Sequence, residues 1–509
     1  MSEAAPKPGM GGFLGWVERV GNRVPHPVMI FVYLIVFVVL LSAFLELIGA
    51  EVRYQAYNPA SGDIEEGSTR ARSLLTVEGI RFMFTGVVPN FMGFNAVGVI
   101  IVAMVGVGVA EESGLVKALI RKLVIVSPPW ALTYILTFVG IISSIAADAG
   151  YLVLIPLAAA AYLSVGRHPL AGLAVGFASV ASAFLVNILI VPTDAILTEI
   201  TNDAIRLVNP TLSIDLAANV WFSIGSVVML TVLIALLTDK VVEPRLGKYT
   251  GGYEVPGENT LSEDEYRGLR YAGYGALAVL GFIALLVVPP GAPLRHPETG
   301  AIIGNSPFMN SLIVSIALIF LVAGACYGMG ARTLKGSSEV IGAMQKSIGA
   351  LAGLILLLLV ISQFIAFFNY SNMATLAAVS LGELLKAANL DALWLLVGFV
   401  GVTLLVDFII TGAVAKWALF APIFVPLLMQ LGVGPEAALA AYRVGDSPVN
   451  SITPLNAYFA MIVTFAIKYQ KEAGIGTVIA LMLPYVIWMS VIWTAFMAGW
   501  HLLGWPWGL

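Results

Sequence analysis

The chain has 509 residues, 59% hydrophobic and 11% charged, with a mean hydropathy of +0.94 and a net charge of -4. An average soluble domain carries about 25% charged residues, so this composition excludes a cytosolic enzyme, a nucleic-acid partner and a disordered scaffold. It points to one polytopic unit whose solvent and first partner is the lipid bilayer.

Arg19, Arg23 and His26 precede the first apolar run, 27–49. That run is too long for a signal-peptide core and no small-residue cleavage site follows it, so it reads as an uncleaved anchor. Crossing the hydrocarbon takes about 20 apolar residues. Clear runs of that kind are 27–49, 92–110, 217–237, 271–289, 310–330, 349–369 and 476–500. Regions 130–163, 170–208 and 392–467 are less regular, each with glycine, proline or charge in its middle.

Lys/Arg-rich loops favour the cytoplasmic side. The basic N-terminus is then inside, the 51–90 loop outside, and Lys117, Arg121 and Lys122 inside. Arg167 and His168 stay inside only if 130–163 enters and returns as a hairpin. Later spans return to Lys240, Arg245 and Lys248, and to Arg332, Lys335 and Lys346. A second hairpin, 392–430, opens to the outer side, 436–467 reaches Lys468 and Lys471, and the last span leaves the C-terminus outside.

The predicted fold is an all-α polytopic membrane protein of about nine transmembrane helices plus two re-entrant helical hairpins. Its expected parts are a cytoplasmic N-terminus, 1–26, and a first span with outer loop, 27–91. A first inverted repeat, 92–240, contains hairpin 130–163. A cytoplasmic loop and scaffold spans fill 241–344, and a second inverted repeat, 345–509, contains hairpin 392–430. In the outer loop, Asn58-Pro59 and Ser61-Gly62 are turn signals. In the inner loop, Ser262-x-x-Glu265 is either a capping box that starts the next helix or an ordinary charged linker.

The repeat rests on the residues themselves. Sliding the chain by 266 residues lays AADAGYLVLIPLAAAAYLSVGRHPLAGLA (146–174) on GAVAKWALFAPIFVPLLMQLGVGPEAALA (412–440) without a gap. Pro156 falls on Pro422, Gly166 on Gly432, Pro169 on Pro435, and Tyr151 on Trp417. Most matches are small residues, which an Ala-rich chain also yields by chance. By the topology above, one hairpin enters from each side, and transporters of that design bind substrate where interrupted helices converge.

Ionisable groups at membrane depth cost at least about 2.5–3.5 kcal/mol each, which makes them functional candidates. They are Asp148 at the first hairpin tip, Asp194 in NILIVPTDA, Lys416 at the second tip, and Arg443 and Asp446 in AYRVGDSPVNSITPLNAY. Ser143, Ser144, Asn187, Thr193, Ser447, Asn450, Thr453 and Asn456 surround them, and Pro192, Pro448 and Pro454 interrupt the helices and free carbonyls. Plain structural readings stand beside these. Arg443 and Asp446 share a helix face and can pair with each other. Asp194 can end a helix at the outer interface, and Lys416 can snorkel. Asp407 reads as a packing or outer-surface residue, and Glu111 and Glu112 as solvated. Cys326 is the single cysteine, and the four histidines are scattered, so neither a disulfide framework, a transition-metal site nor an organic cofactor is expected.

GVGVAEESGL (106–115), NILIVPTDAIL (187–197), AKWALFAPIFVPLL (415–428) and YRVGDSPVNSITPLNAY (442–458) resemble the signatures of the AbgT family of p-aminobenzoyl-glutamate transporters. The resemblance runs from about residue 12 to the end. It implies nine spans, two re-entrant hairpins, a homodimer, and functional roles for Asp194, Trp417, Pro435, Arg443, Asp446 and Pro454. Val414 departs from it, since serine is common there in the family and a hydroxyl is lost.

The expectation is a secondary active transporter of an aromatic or amino-acid-derived carboxylate in a bacterial inner membrane, with Na⁺ or H⁺ as coupling ion; the resemblance implies p-aminobenzoyl-glutamate, sulfonamide-type antimetabolites or both as what it moves. Substrate is expected at Asp194, Lys416, Trp417, Arg443, Asp446, Asn450 and Pro454, and the ion at Asp148, Asn187, Asp194, Asp446 and Asn456. Arg443 suits bidentate capture of a carboxylate, and Trp417, like Tyr151, suits either an aromatic wall that stacks on a ring or packing within its hairpin. The alternatives are a dicarboxylate or citrate-like symporter, a membrane enzyme and a passive channel. No P-loop, GxSxG or HExxH is present to support ATP-driven transport or hydrolysis.

Overall fold

The computed structural model describes residues 25–57, 64–125, 127–145, 150–251, 261–303, 306–377, 379–380, 391–408, 410, 412–453 and 455–509. Helix α1 (Pro27–Leu47) is followed by an antiparallel hairpin of β1 (Glu51–Tyr57) and β2 (Ile64–Arg70), registered Glu51 to Arg70. This small ribbon is an exception to the all-α expectation. The turn signals at 58–62 lie outside the described residues.

The first half then runs α2 (Asn95–Glu112), α3 (Leu115–Ile125), α4 (Leu132–Ile142), α5 (Ile155–Ser164), α6 (Pro169–Ala181), α7 (Pro192–Arg206) and α8 (Val220–Leu237). Between the halves lie α9 (Glu263–Val287), α10 (Leu312–Ala331) and α11 (Ser337–Ala350). The second half runs α12 (Ala352–Tyr370), α13 (Ala392–Asp407), α14 (Ala413–Gln430), α15 (Pro435–Asp446), α16 (Phe459–Tyr469) and α17 (Ile475–Leu502). From α4 to α8 and from α13 to α17 the order is the same: a helix pair, a helix, a break in the α-helix (which holds a 3-10 turn, Pro448–Ser451, in the second half), a helix and a long span.

Eight helices among the described residues are long and apolar enough to cross a membrane. Seven are the seven clear runs of the sequence, and the eighth is α14, an arm of the predicted second hairpin. The regions 170–208 and 436–467 are each two short helices about a break. Pro192 does not interrupt a helix; it is the first residue of α7, where its missing N–H costs nothing, and the break lies before it at 182–191.

Lipid gives helices no hydrophobic reason to associate, so close contact depends on small residues. A Cβ on Gly324 would lie 2.6 Å from the Ala110 backbone, and one on Gly106 2.0 Å from the Ala317 carbonyl, which seats α10 on α2. Gly275 admits Cys326 and seats α9 on α10 in the same way. Ser262 and Glu265 form the capping box of α9: Ser262 Oγ accepts from the Glu265 N–H and Glu265 Oε2 from the Ser262 N–H. Glu265 also binds Arg121 at 2.8 Å, tying α9 to α3. Glu112 is not merely solvated, since Lys346 pairs with it at 2.6 Å.

The base of the first helix pair is clamped. Arg167 donates to Thr133 Oγ1 at 2.8 Å and to Asp239 Oδ1 at 2.6 Å, pairs with Glu243, and lies 4.1 Å over the Tyr162 ring. His168 Nδ1 caps α6 by accepting from the Leu170 N–H, and burial pushes this imidazole below its usual pKa, which favours that neutral role.

Candidate functional site

The breaks of the two halves meet at the centre. Ser182 Oγ donates to Ser451 Oγ at 2.7 Å, and the Leu185 N–H to Ser447 Oγ at 3.4 Å. Non-helical backbone at this depth must find internal partners. Asn187 supplies them in the first break, with its amide on the Ile142 carbonyl and Ser144 Oγ and its oxygen taking the Leu189 N–H. In the second, the Asn450 amide donates to the Asp446 carbonyl and the Asn456 amide to the Asn450 carbonyl. These three predicted site residues therefore satisfy freed backbone in this conformation. Asp148 and Pro454 lie outside the described residues.

Two charged groups are built here. Arg443, 3% exposed, pairs with Asp194 Oδ1 at 2.5 Å. It also donates from Nη1 to the Leu185 carbonyl at 2.8 Å and from Nε to Asn219 Oδ1 at 3.2 Å. Asp194 stands at the third position of α7, where Oδ2 accepts the Val191 N–H at 2.8 Å. One oxygen thus caps the helix and the other faces arginine, which fixes the pair across the two halves. Asn219, Asn187, Leu189 and Ser223 complete a narrow cleft of about 10 Å³ around it.

The second group is Lys416 between Asp407 and Asp446, all three fully buried. Lys416 Nζ lies 2.8 Å from Asp446 Oδ1 and donates to Asp407 Oδ1. Tyr442 Oη contacts the same Asp446 oxygen at 2.8 Å and the Ala413 carbonyl at 2.5 Å. The close seat is set by Gly445, whose Cβ would lie 2.6 Å from Thr403 Cβ and 2.9 Å from the Val400 carbonyl, so α15 rides directly on α13.

Three plain readings are thereby corrected. Arg443 and Asp446 do not pair with each other; each finds its partner on another helix. Lys416 does not snorkel, because two acids hold it inside. Asp407 is neither surface nor packing residue. Its signal in the sequence was a lone acid inside LLVGFVGVTLLVDFII (395–410), nine residues before Lys416. Asn219, which orients Arg443, carried no signal.

Trp417 is fully buried; its indole N–H donates to the Leu197 carbonyl and Thr201 Oγ1 of α7, and its ring lies 4.6 Å from Tyr442. Its counterpart Tyr151 stacks on Tyr458 at 4.2 Å. Val414 is a partly buried packing residue. Pro435 opens α15, where a missing N–H is tolerated. Among the described residues, no group of three His, Cys, Asp or Glu side chains can hold a metal.

Known proteins share this architecture. The model of the "AbgT putative transporter family" matches residues 12–509. The p-aminobenzoyl-glutamate transport protein of Escherichia coli K12 is 35% identical over 98% of this chain and 96% of its own. The crystal structure of the Alcanivorax borkumensis YdaH transporter superposes with a TM-score of 0.88 at 40% identity, over 95% of this chain and all of that one. Neisseria gonorrhoeae MtrF, described among antimetabolite efflux pumps, superposes with a TM-score of 0.91 at 38% identity, over 96% and 97% of the two chains. The chain belongs to the AbgT family and is a membrane transporter, not an enzyme.

Proposed function

We propose that this transporter moves p-aminobenzoyl-glutamate or sulfonamide-type antimetabolites, driven by a Na⁺ or H⁺ gradient, and works as a homodimer in the bacterial inner membrane. Its N-terminus is cytoplasmic, its C-terminus periplasmic, and its halves are inverted repeats with re-entrant hairpins.

The observation that carries the reading is the buried Arg443–Asp194 pair in a cleft between the two halves. A buried guanidinium is a site for an anionic ligand, and a substrate carboxylate that displaces Asp194 from it leaves that acid to be neutralised by a cation or a proton. A cleft of about 10 Å³ is far below the roughly 300–1,000 Å³ of ordinary small-molecule sites, so the site is closed here and α7 and α15 part when substrate enters. Releasing Asp194 from arginine couples substrate entry to the start of α7. The names of the Escherichia coli and Neisseria relatives support the substrate class. The two crossing contacts, 182 with 451 and 185 with 447, exchange places under the 266-residue shift to within one residue, as a two-fold contact does.

A general dicarboxylate is the second reading, favoured by the absence of an aromatic side chain among the described residues lining the cleft. Flux into proteoliposomes, measured for p-aminobenzoyl-glutamate, a sulfonamide and citrate under separate Na⁺ and pH gradients, tests both. Accumulation of the aromatic compounds supports the first reading, accumulation of citrate alone replaces it with the second, and accumulation of none overturns both.

A further inference from the structure

Asp407, Lys416 and Asp446 form a closed charge set. Among the described residues, the titratable groups that face it are Asp407 from α13, Lys416 from α14, and Tyr442 and Asp446 from α15. Arg443, the next cation along α15, is turned to Asp194. Two carboxylates therefore share one ammonium, with all three side chains at zero exposure. Fully ionised, the set carries one negative charge with no counter-charge, a state that burial strongly disfavours. Asp407 Oδ2 and Asp446 Oδ2 have no hydrogen-bond partner among the described residues.

Proton counting at Tyr442 points the same way. Its hydroxyl has one proton but touches two oxygens, the Ala413 carbonyl at 2.5 Å and Asp446 Oδ1 at 2.8 Å. A carbonyl only accepts, so the shorter contact takes the tyrosine proton. The longer contact can only share that proton, so Asp446 Oδ1 has little beyond Lys416 to offset its charge.

We infer that Asp407 and Asp446 hold one exchangeable proton beside Lys416, and that this proton is the coupling ion. The inference rests on the ion-coupled reading above and names its ion. Lys416 selects against Na⁺ because its ammonium already sits between the two carboxylates, where a metal ion would need several free oxygens. No covalent step is involved: the proton enters as one carboxyl becomes neutral and leaves as it ionises.

Two measurements test it. Infrared difference spectroscopy of the purified protein is expected to show one protonated-carboxyl band at neutral pH. Asp407→Asn, which leaves one acid and one ammonium, should lose that band, and Lys416→Gln should gain a second. A wild type without the band overturns the proposal whether or not p-aminobenzoyl-glutamate is the substrate. In proteoliposomes with the membrane potential clamped, exchange of one proton per substrate supports about tenfold accumulation per pH unit. Asp407→Asn should abolish that dependence. Accumulation driven by Na⁺ alone overturns the proton but leaves the ion-coupled reading standing, and failure of every gradient overturns the reading itself.

Discussion

The two halves place matching residues in matching contacts and fill them with different chemistry. Lys416 and Asp446 touch in the second half. Their counterparts in the first half are Gly150 and Val180, and these touch too, since a Cβ on Gly150 would lie 2.9 Å from the Val180 side chain. Asp407 corresponds to Ile141 and Arg443 to Phe177. The first half shows that the architecture needs only small or apolar side chains at these positions. The charges of the second half are therefore not required by the fold, and the site is asymmetric although the order of elements in the two halves is the same. The first pair carries its charge elsewhere, in the Arg167 clamp at its base.

The largest effect that bears on this contrast is expected at Lys416. Lys416→Met strands two buried acids and should cost about 3–5 kcal/mol, read as a fall in detergent melting temperature. Replacing the whole set, as Asp407→Leu, Lys416→Met and Asp446→Val together, should restore stability to the wild-type level or above, because apolar substitutes for buried ion groups are often neutral or stabilising. That triple variant should not transport. A triple variant less stable than Lys416→Met alone would break the comparison.

Arg443→Ala comes next. It leaves Asp194 facing the cleft alone and removes a charge-assisted contact of about 3 kcal/mol, so transport should fall about 100-fold. Arg167→Gln acts on the first half only. The clamp is partly exposed, so a loss of about 1–2 kcal/mol in stability is expected, with a smaller change in substrate affinity than at Arg443. Smallest is Ser262→Ala at the α9 cap, about 0.5–1 kcal/mol in melting measurements with unchanged flux.

Much of this is legible in the sequence. The seven plain spans follow from run length, because lipid tolerates little else. The helix pairs were readable because glycine, proline and charge inside apolar runs mark interrupted backbone. The cap at Ser262 was readable as a local pattern. Partnership was not. Arg443 and Asp446 look paired in sequence because i and i+3 share a helix face, yet each is matched by a residue that only the tertiary fold delivers, Asp194 on α7 and Lys416 on α14. Asp407 was misread for a related reason: one acid in a long apolar run says that it costs energy but not what compensates it. Trp417 reads equally as an aromatic wall or as packing, and the structure gives it packing, buried between α7 and Tyr442, where it holds one half against the other.

The central claim is that an arginine fixed between the two halves captures a carboxylate substrate. The most direct measurement is concentrative flux of labelled p-aminobenzoyl-glutamate in proteoliposomes carrying wild type or a folded Arg443→Ala. The account predicts accumulation against the substrate gradient for the wild type and background leakage for the variant. Accumulation by Arg443→Ala at the wild-type rate would contradict it.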